Sequence, residues 1–92
     1  MRVTNKDLEQ MLGILNRITG NPEEPTSMVN GRCVFNVGCY HLDVAYGGVA
    51  VVQAVNTGGG VRTIMHRGTK KEIYYQLAAM IEGVHVGKGE RV

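Results

Sequence analysis

Tryptophan is absent from this sequence, phenylalanine occurs once, and cysteine and proline occur only twice each. Two cysteines, Cys33 and Cys39, are too few for a disulfide framework and stand in apolar surroundings without a secretory context, so reduced thiols are expected. Neither a C-x-x-C pair nor a second ligand pair accompanies them, and Cys33, Cys39 and His41 therefore lack the spacing of a usual zinc site. No apolar run approaches the roughly 18 residues that cross a bilayer, and the opening MRVTNKDLEQ lacks the apolar core of a signal peptide. The expected place of action is the cytoplasm, with no membrane partner. An excess of one charge is lacking too. Ten Lys+Arg against eight Asp+Glu give a formal +2, so a polyanionic partner is permitted but not required.

What remains is the composition of one small domain. The chain has 92 residues, 43% of them hydrophobic and 20% charged, enough for a single core and too little to divide. Glycine is the unusual residue: seven of the thirteen fall between Gly31 and Gly60, where they punctuate short strands in the manner of a meander.

Leu8, Met11, Leu12, Leu15 and Ile18 recur at helical spacing, with Lys6, Glu9, Gln10, Asn16 and Arg17 between them. Thr4 is placed to cap this helix, Asp7 to complete a capping box, and Gly20 to end it. The stretch 21–31, with Pro22, Glu23, Glu24 and Pro25, reads as an exposed connector. From Arg32 to His66 the apolar period changes to two. Tyr40, Leu42, Val44 and Tyr46 share one face, and His41, Asp43 and Ala45 the other. A primed turn at Gly47-Gly48 sets Val44 opposite Val51, Leu42 opposite Gln53 and Tyr40 opposite Val55. A second reversal at 56–60 leads to a strand over Val61–Met65, and Cys33–Val37 offers one more. Thr69 and Glu72 form a capping box for a last helix carrying Ile73, Leu77, Met80, Ile81 and Val84, with Gly83 as its stop and 86–92 as a loose tail. The expected fold is α+β: a helix, an antiparallel meander of three or four strands and a second helix, both helices on one apolar sheet face.

Side chains for chemistry are few. Ser27 lies in the connector, His66 and His85 stand in no pattern, and His41 with Asp43 shares what reads as a solvated sheet face. No catalytic set, no metal and no cofactor is expected, and the chain reads as a binder rather than an enzyme. Two local features invite an anionic or protein partner. Asn56 and the Gly58, Gly59, Gly60 run form a candidate ligand loop beside Arg62, although phosphate loops lead into helices and a strand follows here. His66, Arg67, Lys70 and Lys71 gather positive charge at the start of the last helix, where it opposes the helix dipole. Tyr74 and Tyr75 stand next to them, one expected to flank the apolar stripe and the other to show a ring at the surface, with Tyr75 counted among the candidate contacts. The element order with Lys70-Lys71 at that helix start looks like the double-stranded RNA-binding domain, but the strands lack that family's Gly-Pro and Phe pattern.

The strings Tyr40-His41-Leu42, Ala45-Tyr46-Gly47-Gly48, Asn56-x-Gly58-Gly59-Gly60-Val61 and Lys71-Glu72-Ile73-Tyr74 with Leu77 resemble a group of small proteins encoded in phage and prophage genomes. The likeness runs through most of the chain, including Leu15-Asn16-x-x-Thr19-Gly20. It implies a small accessory protein acting stoichiometrically on a host protein or a defence component; the basic helix start keeps nucleic acid, and the Gly58–Gly60 loop a nucleotide-like anion, as alternatives. A homodimer is expected on separate grounds, because the core is small and meander edges are commonly covered by self-association.

Overall fold

The computed structural model describes residues 2–87. Helix α1 spans Asn5–Thr19, and its capping box is formed as the sequence predicts. Thr4 N–H donates to Asp7 Oδ2 at 2.9 Å and Asp7 N–H donates to Thr4 Oγ1 at 3.2 Å, while Gly20 closes the far end at φ 74°. Helix α2 spans Lys70–Gly87 and opens on the same device, with Thr69 N–H to Glu72 Oε1 at 2.9 Å and Glu72 N–H to Thr69 Oγ1 at 3.1 Å. Gly83 does not stop α2. A single helical glycine costs about 1 kcal/mol, and Val84, one residue on, packs on the core. Of the expected tail at 86–92, Val86 and Gly87 are helical and the rest lies outside the described residues.

The Thr4 backbone bond and hydroxyl hold the Asp7 carboxyl below its ordinary value, and Thr69 does the same to Glu72 in the same order of importance. A carboxyl depressed in the folded state stabilises fully above its unfolded value, and that stabilisation is lost as pH falls through the folded one. Melts across the acidic range are therefore expected to steepen on the wild-type acid limb and to flatten when Asp7→Asn and Glu72→Gln are combined.

Between the helices lie β1 (Thr26–Val29), β2 (Arg32–Phe35), β3 (Tyr40–Ala45), β4 (Gly48–Ala54) and β5 (Val61–Gly68). The strands β3-β4-β5 form an antiparallel sheet in that order, and β1-β2 form a separate ribbon. The connector at 21–31 thus contains a strand. Its signal is Asn30-Gly31, at φ 50° and 77°, which joins Val29 and Arg32 as a two-residue hairpin loop. The expected strand at Cys33–Val37 is β2, in the ribbon rather than in the meander.

The first meander hairpin turns one residue earlier than its glycines suggest. The loop is Tyr46-Gly47, both at positive φ (53° and 73°), so Ala45 pairs with Gly48, Val44 with Val49, Leu42 with Val51 and Tyr40 with Gln53. The register moves by two residues and the side-chain faces are kept. Gly48 is needed elsewhere: a Cβ there would lie 2.9 Å from the Gly68 carbonyl oxygen, where β5 crosses closely. Arg67 then fastens the turn. Its Nη1 donates to the carbonyls of Asp43 (3.1 Å), Ala45 (3.1 Å) and Gly48 (3.3 Å), its Nη2 meets Asp43 Oδ2 at 2.7 Å, and its guanidinium lies 5.8 Å from the Tyr46 ring centre.

Both helices pack on the face of Val49 and Val51, where Leu8, Leu12, Leu15, Met65, Ile73 and Leu77 complete a dry core. Val44 and Tyr46, expected on the buried face, lie beyond the helices and are exposed. The opposite sheet face is less solvated than its alternation implies, since Ala50, Val52 and Ala54 are also buried. These small residues sit on the central strand between His41, Asp43 and Thr63, and the Arg67–Asp43 pair reaches from β5 to β3 across them. Along β5 the register slips twice, between Val49 and Val51 and between Val51 and Val52, each slip adding a residue on the β5 side.

Candidate functional site

The basic residues singled out from the sequence are held in different ways. Arg62 pairs with Gln53 at the start of β5, and its Nε donates to Gln53 Oε1 at 2.9 Å. His66 is exposed further along the strand, and Arg67 is committed to the turn. Lys70 and Lys71 are exposed and, like Arg62, make no ion pair among the described residues. Tyr75 is exposed and meets Tyr74 edge to face, with ring centres 5.6 Å apart.

The glycine loop is closed by its own asparagine. Asn56 Oδ1 accepts from the amides of Gly58 (3.0 Å) and Gly60 (2.9 Å), the donors an anion would use. Phe35 lies against Gly59, and Phe35 N–H donates to the Thr57 carbonyl at 3.1 Å, which joins the ribbon to this loop. The arrangement is that of a structural turn.

Other reactive side chains also hold the fold together. Asp43 is engaged by Arg67 and makes no pair with His41, while Ser27 Oγ donates to Asn36 Oδ1 at 3.0 Å. Cys33 is exposed, and Cys39 is buried. Burial pushes the Cys39 thiol up from its ordinary value, against a smaller opposing effect of the Asn16 amide. No group of three metal-ligating side chains is gathered among the described residues.

A groove of about 410 Å³ lies beside His41, away from the basic cluster and the glycine loop. Its walls are α1 (Glu9, Leu12, Gly13, Asn16), the connector (Glu23, Glu24, Pro25) and the edge of β3 (Tyr40, His41, Leu42). Asn16 sets the geometry. It is 1% exposed, and its side-chain amide meets the backbone of Tyr40 as a neighbouring strand would: Tyr40 N–H donates to Oδ1 at 2.7 Å and Nδ2 donates to the Tyr40 carbonyl at 2.9 Å. Alternate residues of an edge strand turn their backbone groups the same way. Leu42 and Val44 therefore present theirs outwards, where no further strand meets them.

Two more features belong to this groove. His41 Nδ1 is buried without a hydrogen-bond partner. Gly13 occupies the interior of α1, where glycine is less stable than alanine by about 0.5–1 kcal/mol, yet a Cβ at that position would meet nothing within 4 Å. Packing inside the chain does not require a glycine there. In sequence, the signals for this groove are Gly13 within a good helical pattern and the Glu23-Glu24 pair in the connector.

Compared with models of known protein families, with curated proteins and with solved structures, the chain matches none. No helix among the described residues is long and apolar enough to cross a membrane.

Proposed function

We propose that this chain is a noncatalytic binding module, a small accessory protein of the phage type, that acts by stoichiometric capture of a host protein at the groove between α1 and β3. The observation that carries this reading is the open edge of β3 running beside a preformed groove. A strand edge offers a partner chain a row of backbone donors and acceptors, and flanking pockets select its side chains. The engagement of Asp43, Arg67, Asn56 and Ser27 in structural bonds supports it as well, because side chains so committed are poorly placed to turn over a substrate.

The alternative partner, nucleic acid, draws on Lys70 and Lys71, the exposed remnant of the basic cluster. Purification of the tagged chain from bacterial cells, followed by native mass spectrometry and an ultraviolet spectrum, separates the two. A host protein in a fixed whole-number ratio is expected, and Lys70→Glu with Lys71→Glu leaves its capture intact. With no tryptophan and four tyrosines in the chain, bound nucleic acid dominates the spectrum. Such a spectrum, with binding that the double variant loses and that fades as salt rises, overturns the proposal.

A further inference from the structure

The chemistry of the partner is written in the charge and depth of the groove. Three carboxylates line it, Glu9 from α1 and Glu23 and Glu24 from the connector, on a chain whose formal charge is +2. The groove thus gathers three of the eight carboxylates of the chain. Only Glu23 has a cation, Arg17 at 3.0 Å, and that pair is solvent-exposed. Glu9 and Glu24 are exposed and make no ion pair among the described residues. Between the carboxylates the lining mixes apolar side chains, Leu12, Pro25, Tyr40 and Leu42, with Asn16 and His41.

We infer that the groove takes an extended protein segment carrying lysine or arginine, added as a further strand at the Leu42 edge of β3, with its cations against Glu9 and Glu24. In an extended segment successive side chains point to opposite sides. One row then faces the apolar lining while the backbone bonds to Leu42, beyond the position that Asn16 fills at Tyr40. Gly13 has its place in this arrangement. A bare Cα in the helix wall admits close approach of a second backbone, which accounts for a helix-interior glycine that internal packing leaves unexplained. The inference rests on the groove being the contact surface, and it adds what the surface selects.

The test uses the full chain and a fluorescein-labelled ten-residue peptide alternating lysine with valine, beside a counterpart alternating glutamate with valine. Anisotropy titrations are expected to show binding of the lysine peptide and at least tenfold weaker binding of the glutamate one. Glu9→Lys with Glu24→Lys should weaken the lysine peptide at least tenfold with an unchanged melt. Gly13→Ala should raise the melting temperature and yet weaken the peptide, a combination that a purely structural glycine does not give. Amide exchange at Leu42 should slow on binding. Equal affinity for both peptides, undiminished binding by the charge-reversed variant, no protection at Leu42 or no binding at all overturns the inference. So does a dimer in light scattering that the charge reversal dissociates, since the occupant is then a second copy. A chain that ignores the peptide but still copurifies with a host protein in fixed ratio loses only this inference, whereas one that does neither loses the proposed function too.

Discussion

Asn16→Ala is expected to destabilise the domain by about 2–5 kcal/mol, the largest effect of any polar substitution in the molecule, because it leaves both backbone groups of Tyr40 without their partner in a part-buried site. For a chain of this size each kcal/mol shifts the midpoint by about 4–8 °C, so a thermal melt should fall by at least about 8 °C. The loss concerns hydrogen bonding as well as volume, and Asn16→Asp tests this. Aspartate retains an acceptor for the Tyr40 N–H but sets an oxygen against the Tyr40 carbonyl and introduces charge at a position 1% exposed. Burial raises its folded value, so its destabilisation should grow as pH rises through that value and shrink in acid, where the protonated carboxyl donates. A melt of Asn16→Ala within a degree or two of wild type would show that Asn16 does not complete the edge of β3.

Val51→Asp is expected to abolish cooperative unfolding, whereas Val44→Asp lowers stability by no more than about 1 kcal/mol. Val51 is fully buried beneath both helices and Val44 is 55% exposed, although alternation places both on one face. A carboxylate at Val51 has no cation in the core, and burial of such a group without a partner costs several kcal/mol, much of the stability of a small domain. Circular dichroism of the two variants decides the matter. A folded Val51→Asp beside an unfolded Val44→Asp would mean that the helices sit over the hairpin tip rather than over the middle of β4.

The helices were legible in the sequence because their determinants are local: Thr4 with Asp7, Thr69 with Glu72, the stripe from Leu8 to Ile18 and the stop at Gly20 all act within a turn or two. The three-stranded meander and its apolar face were legible for the same reason. The turn at Tyr46-Gly47 was not, because the glycine that reads as a loop residue, Gly48, answers to Gly68 on β5, some twenty residues away. Nor was the fate of Arg67, whose partners belong to the β3–β4 hairpin. The sequence shows a basic cluster, and the fold commits one of its members, Arg67, to the hairpin turn. The groove was the least legible feature. It exists only where α1, the connector and β3 converge, and its key residue, Asn16, reads as one more polar position on the outer side of an amphipathic helix.

The two slips in β5 bear on how many partners the sheet accepts. Its two edges are unlike: β3 pairs in regular register along its whole length, while β5 carries two extra residues that bend and twist it away from a flat edge. A sheet with two regular edges can be extended from both sides, and chains of that kind grow into fibres. Here one edge is regular and filled by Asn16 at Tyr40 alone, and the other is a poor template. On the proposed reading of the groove, the β5 bulges would hold the valency of the sheet at one, so that its occupation would end in a discrete complex instead of a polymer.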